Sequence, residues 1–258
     1  FSALIPGTVC IFLAGCIYWL FSWAHWGNLH DVIMNILAKP LGLLGNTLLG
    51  TLASIILVSL FWFVGIHGGN VVNTAMSPIW LMQTDANRVL NQSGKLDLAH
   101  GGNIITQPFI DNFVYMGGAG ATLGLVLCVG YLVWKKRASK QNEILAPLTI
   151  VPGIFNINEP TMFGLPVVLN LSLIIPFIIA PMFNAITTYT AMKLGWVPLC
   201  NGTVIPWTMP PLISGFLATN SIAGSILQLF NIIVDILIYL PFMSALNKRQ
   251  IVEESRKG

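Results

Sequence analysis

Charge is the scarcest property of this sequence. Only 8% of its 258 residues are Asp, Glu, Lys or Arg, against 55% hydrophobic, and the mean hydropathy is +0.78. A soluble domain carries about 25% charged residues, so the composition excludes an ordinary soluble globule and makes lipid the main solvent. The formal net charge of +3 is too small to argue for a nucleic-acid partner. Cysteine is sparse too. Cys10, Cys16, Cys128 and Cys200 contain no C-x-x-C pair, which speaks against a clustered zinc or redox centre and for buried structural thiols. No metal and no cofactor is expected. The first residue is Phe1, with no initiator Met and no basic region before the first apolar run, so the start does not read as an intact signal peptide. The sequence is expected to be the later part of a longer protein.

The few charges are also confined. The runs 9–21, 47–66, 113–134, 167–192 and 221–246 hold a single charged residue, Asp235, and crossing a bilayer as a helix takes ~20 mostly apolar residues. The fold class expected is therefore an all-α integral membrane protein with about five transmembrane helices. Trp19, Trp23 and Trp26 gather at the end of the first run, as an interfacial aromatic belt does. Residues 30–44 are apolar at helical spacing but carry Asp31, Lys39 and Pro40, the pattern of an amphipathic helix lying along the interface. Residues 70–112 are the most polar region and read as a long connection with short helices outside the hydrocarbon. Lys135, Lys136, Arg137 and Lys140 follow one run, and Lys248, Arg249, Arg256 and Lys257 follow the last. Both clusters read as cytoplasmic, which puts the C-terminus inside. Asp235 reads as a packed polar contact between helices.

Two glycine- and proline-rich stretches break the apolar pattern, near 144–166 and 195–220. Each proline removes a helical hydrogen bond and clashes with the preceding turn. Irregular backbone at membrane depth survives only where it is buried in protein or lines a cavity. Both stretches are therefore expected to be re-entrant hairpins, and such paired interruptions point to a transporter binding site. A third glycine-rich stretch, 116–124 (MGGAGATLG), has small residues at three- and four-residue spacing. It reads as close helix packing, because no strand precedes it as a nucleotide loop requires.

The first broken stretch carries Asn156, Asn158 and Glu159. A charged side chain at bilayer depth costs from ~2.5 kcal/mol upward and marks a substrate or ion pathway. His67 follows another apolar run among glycines, so that a ligand could approach the backbone; the plainer reading is an interfacial hydrogen-bonder. Trp207 sits in the second broken stretch. Carboxylate, amide and imidazole groups pair well with hydroxyls, and an indole suits the apolar face of a pyranose. A sugar fits this set better than an anion or a cation.

Residues 61–68 (FWFVGIHG), 152–166 (PGIFNINEPTMFGLP) and 206–220 (PWTMPPLISGFLATN) closely resemble enzyme IIC, the membrane component of the bacterial phosphoenolpyruvate-dependent sugar phosphotransferase system. The likeness is to its lactose/cellobiose/diacetylchitobiose branch and covers almost the whole chain. Family proteins are longer, so the resemblance implies a C-terminal, substrate-binding part. Residues 1–46 would hold the first span and the interfacial helix, and 47–258 the sugar-binding transport domain. The family's N-terminal helices would build a homodimer interface in the full-length protein. The resemblance further implies a multi-pass protein of the bacterial cytoplasmic membrane. It would bind a β-linked disaccharide and carry it inward by a rigid-body movement for phosphorylation by the phosphocysteine of enzyme IIB. Glu159 and His67 match the family's sugar-binding carboxylate and imidazole, Asn158 and Asn156 flank the site, and Trp207 occupies the second hairpin. Glu159 could also act as general base, and no cysteine here is assigned a phosphoenzyme role.

Three other readings stand beside this one. An ion-coupled secondary sugar transporter shares broken helices and midplane polar groups. A receptor or assembly protein would bind without transport. The tripeptide Asn158-Glu159-Pro160 also occurs in retaining β-glycosidases, but those need a second carboxylate about 5.5 Å away and an alternation of strands and helices.

Overall fold

The charge-poor runs fold as helices, but of uneven length. The structure, a computed structural model, describes residues 4–23, 45–165 and 167–257. Among them every regular element is helical: α1 (Leu4–Trp23), α2 (Leu48–Phe63), α3 (Gly68–Gln92), α4 (Leu123–Trp134), α5 (Lys140–Ile154), α6 (Glu159–Gly164), α7 (Leu171–Lys193), α8 (Ile213–Thr219) and α9 (Ile222–Lys257). A π-helical turn, Phe109–Val114, lies between α3 and α4. Two helices are long and apolar enough to cross a bilayer, Leu171–Lys193 and Ile222–Arg256. Gly7–Leu20, Leu48–Phe63 and Leu123–Trp134 are apolar but shorter than the ~20 residues of a full crossing. Of five expected spans, two stand at full length. The expected interfacial helix at 30–44 and the belt residue Trp26 lie outside the described residues.

Two sequence expectations change. The span expected at 113–134 is α-helical only from Leu123, because Gly117, Gly118, Gly120 and Ala121 all have positive φ, which an α-helix cannot contain. The glycines of this stretch make a tight turn instead of a helix-packing stripe. Only Gly124 packs a helix on a helix: a Cβ there would lie 2.6 Å from Asp235 Cβ on α9. The polar region after His67 is also less irregular than expected. Its first part is one 25-residue helix, α3, whose buried Val72, Ala75, Met76, Trp80, Gln83, Thr84 and Asn87 recur on one face at the 3.6-residue period. Polar side chains do structural work on that face. Asn87 Nδ2 donates to the carbonyls of Asn103 (2.8 Å) and Cys200 (2.9 Å), and its Oδ1 accepts from Asn103 N–H.

The core is built where α9 packs on α4, α7 and α8, α2 on α3 and α7, and α4 on α5. Asp235 is sealed in it, accepting from Asn184 Nδ2 of α7 at 3.0 Å, the interhelical contact read from the sequence. At the far end, a polar clamp ties the α4–α5 turn to α9. Asn247 Oδ1 accepts from Ser139 N–H (2.8 Å) and Asn142 Nδ2 (2.9 Å), while its own Nδ2 donates to Arg137 O (2.7 Å). Ser139 caps α5 through Asn142 N–H, and Glu254 accepts from Lys140 and Gln141 N–H. Orphan donors at a helix start are satisfied this way. The clamp fixes the base of the helix that ends at the first broken tip, and it brings the two basic clusters onto one face.

Candidate functional site

The helix reversal between α2 and α3 sets the first side chain. Gly65 takes φ +85°, and a Cβ on Gly68 would lie 2.1 Å from Val58 O. Only glycine lets the start of α3 sit on the α2 backbone. Gly68 thus serves helix approach, where the sequence suggests room for a ligand. His67 is the N-cap of α3, its Nδ1 accepting from Asn70 N–H at 3.2 Å. A backbone amide can only donate, so a neutral ring carries its proton on Nε2. Trp62, 3% exposed, holds the ring from behind with centroids 4.5 Å apart and planes at 50°.

The first broken stretch supplies the second part. Helix α5 continues through Pro147 and Pro152 and ends at Ile154; the chain then turns at Asn156, φ +62°, and restarts at Glu159 as the short α6. Asn156 Oδ1 accepts from Gly117 N–H at 2.6 Å, and its Nδ2 donates to Trp207 O (2.6 Å) and Met209 O (3.1 Å). Asn158 Nδ2 donates to Ala119 O at 3.1 Å. The glycine turn is what allows this: a Cβ on Gly118 would lie 2.7 Å from Asn158 Cγ. Glu159 Oε1 then stands 3.8 Å from His67 Nε2, each side chain about half exposed. That separation exceeds the ~2.7–3.2 Å of a hydrogen bond, so both groups keep capacity for a third partner.

The second broken stretch has no regular structure from 198 to 206 and then forms α8. Its tip carries Trp207, 54% exposed. Gly202, φ +81°, lies against the α3 backbone, where a Cβ would come 2.5 Å from Arg88 Cα.

All five residues singled out from the sequence, His67, Asn156, Asn158, Glu159 and Trp207, line one cavity of 570 Å³. That is within the ~300–1,000 Å³ of small-molecule sites. The cavity also takes in groups the sequence reading passed over: Trp62, Asn73, Gln107, Asp111 and Tyr115. Asp111 comes from the π-helical turn, and Gln107 Nε2 donates to both of its carboxylate oxygens, at 3.0 and 2.9 Å. Gln107 Oε1 and Asn73 Oδ1 are buried without a partner among the described residues. The lining holds two carboxylates and no Lys or Arg, a wall that repels anions and welcomes hydroxyl donors. No cluster of three or more metal-ligating side chains occurs among the described residues.

Apolar helices and a carboxylate- and amide-lined chamber with broken segments at its wall define the class, an all-helical protein with two helices long and apolar enough to cross a bilayer among the described residues. The particular family follows from comparison with known proteins. The sequence model described as "Phosphotransferase system, EIIC" matches residues 1–181, and the chain belongs to that family. It is 40% identical to the lichenan permease IIC component of Bacillus subtilis (strain 168), over 99% of this chain and 55% of that protein. It is 41% identical to the cellobiose-specific EIIC component of Geobacillus stearothermophilus, over 98% and 55%. Among solved structures it resembles the transporter ChbC, the IIC component of the N,N'-diacetylchitobiose-specific phosphotransferase system, with a TM-score of 0.77, 43% identity and coverage of 99% of this chain and 57% of that one. The chain thus spans little more than half the length of these relatives.

Proposed function

We propose that the cavity binds a β-linked disaccharide and that the protein delivers it across the bacterial cytoplasmic membrane for phosphorylation by phosphorylated enzyme IIB. The observation that carries this is the convergence of Glu159 and His67, from distant segments, on one open gap of 3.8 Å. A sugar hydroxyl entering the gap accepts from His67 Nε2–H and donates to the Glu159 carboxylate. Asn158 supports the reading, because it lines the same chamber and no partner for its Oδ1 occurs among the described residues. Trp207 offers a ring to a pyranose face, and Asp111 adds a second acceptor. Residues 47–258 act as the binding and transport unit.

In this reading Glu159 is also the general base. It takes the hydroxyl proton as the sugar oxygen attacks phosphorus, and the sulfur–phosphorus bond of the partner's phosphocysteine breaks to leave a thiolate. Once Glu159 has passed that proton to solvent, the product phosphate, a dianion, meets two carboxylates and no lining cation, which favours its release inward. The shared face of the two basic clusters supports a cytoplasmic C-terminus, and a homodimer is proposed for the full-length protein. The names of the relatives, which specify lichenan, cellobiose and diacetylchitobiose, support this sugar class.

Transport by membrane vesicles tests the proposal. Vesicles supplied with phosphoenolpyruvate and the soluble phosphotransfer proteins are expected to accumulate sugar phosphate from cellobiose, lactose or N,N'-diacetylchitobiose. Concentration of free sugar without those proteins would instead establish an ion-coupled transporter.

A further inference from the structure

Asn156 lines the sugar cavity, yet its side chain is committed to the protein. It is 5% exposed, and its two Nδ2 protons go to Trp207 O and Met209 O while Oδ1 takes Gly117 N–H. An amide has two donors, so none remains for a sugar hydroxyl. The carbonyls it binds sit on an irregular tip between Pro206 and Pro210, whose own backbone supplies one turn bond, Met209 N–H to Pro206 O. Gln228 of α9 holds the continuation of that stretch, its Oε1 accepting from Leu212 N–H (2.6 Å) and Gly215 N–H (2.9 Å). Gln228 anchors the stretch to the helical frame. Asn156 instead anchors it to the segment that bears Glu159, three residues along.

We infer that Asn156 is a positioning residue: it locks the two broken tips and the glycine turn into one unit, and so places the Trp207 ring opposite Glu159 without touching the sugar. The inference rests on the sugar-site reading above and adds a division of labour to it. Asn158 and Glu159 meet the ligand, and Asn156 sets the distance between the carboxylate and the indole. Its left-handed backbone suits the task, since asparagine adopts φ near +60° more readily than other residues bearing a side chain. One residue thus provides both the reversal of the first tip and the grip on the second.

A double-mutant cycle on the whole native polypeptide, purified in detergent, tests this. Asn156→Gly keeps the left-handed backbone accessible and deletes the side chain; Trp207→Ala deletes the ring. Dissociation constants for cellobiose, lactose and N,N'-diacetylchitobiose are measured by calorimetry, with melting temperatures in the absence of sugar to verify folding. Asn156→Gly is expected to weaken binding about tenfold, the size of a lost hydrogen-bond anchor. In the Trp207→Ala background the same change is expected to matter less than about twofold, because the ring it positions is gone. Losses that multiply would overturn the inference and make Asn156 a direct ligand; unchanged affinity in Asn156→Gly would overturn it as well. If Asn156→Gly does not fold, Asn156→Asp, which keeps the acceptor for Gly117 and loses both donors, decides by the same rule. Failure of the wild-type protein to bind any of the three sugars would overturn the sugar-site reading itself.

Discussion

Two histidine–carboxylate pairs stand among the described residues, and they are built for opposite ends. In the turn after α3, His100 Nδ1 lies 2.7 and 2.9 Å from the two oxygens of Asp97, and its backbone N–H donates to Oδ1 at 2.8 Å. The partners are three residues apart, both exposed, and they satisfy each other. In the cavity, His67 and Glu159 come from separate segments and stop 3.8 Å apart, each with capacity left over. The imidazole there is already fixed by a backbone amide behind it and by Trp62. A closed pair stabilises a turn. An open pair held by outside supports is a place for a guest.

Breaking the open pair is expected to have the largest effect. Glu159→Gln removes a charge-assisted acceptor and is expected to weaken disaccharide binding about a hundredfold, with little change in melting temperature, as read by calorimetry. His67→Ala comes next, at about tenfold in affinity, with about 1 kcal/mol of stability lost with the α3 cap. His67→Asn separates the two roles: asparagine caps well, so stability should recover while affinity stays low. Asp235→Asn should leave affinity within about twofold and move stability by no more than about 1 kcal/mol, since the contact with Asn184 survives the change. A large affinity loss there would mean general disorder of the site.

The closed pair should show the smallest effect. Asp97→Asn is expected to leave sugar binding unchanged. The contacts from His100 hold the Asp97 carboxyl below its ordinary 3.8. Because the folded value is depressed, whatever the pair adds is present above that ordinary value and lost as pH falls through the lowered one. Protection of the His100 amide against hydrogen exchange, taken relative to the intrinsic rate at each pH, should therefore persist down to about pH 4 and be lost only below it.

The same contrast explains what could be read from the sequence. Glu159, Asn158 and His67 were legible because polar groups are expensive in an apolar setting and demand a reason. The broken stretches were legible from proline and glycine density. Asp111 was missed although the same logic applies to it. It is flanked by Phe109, Ile110, Phe113 and Val114, all at most 1% exposed, but six residues in a π-helical turn offer no period to notice. The glycines at 117–120 were misread because spacing alone cannot separate a packing stripe from a turn with positive φ. Helix α3 was hidden for a third reason: its buried face includes Gln83, Thr84 and Asn87, where apolar residues are the usual signal, and Thr84 and Asn87 bind backbone there.

In the proposed function, one polyhydroxylated guest completes the open pair. The most direct measurement is a structure of the protein saturated with cellobiose or N,N'-diacetylchitobiose. A sugar hydroxyl is expected within hydrogen-bond distance of both Glu159 Oε1 and His67 Nε2, with a pyranose face on the Trp207 ring. A sugar bound elsewhere, or the two side chains closed directly on each other at saturating sugar, would contradict it.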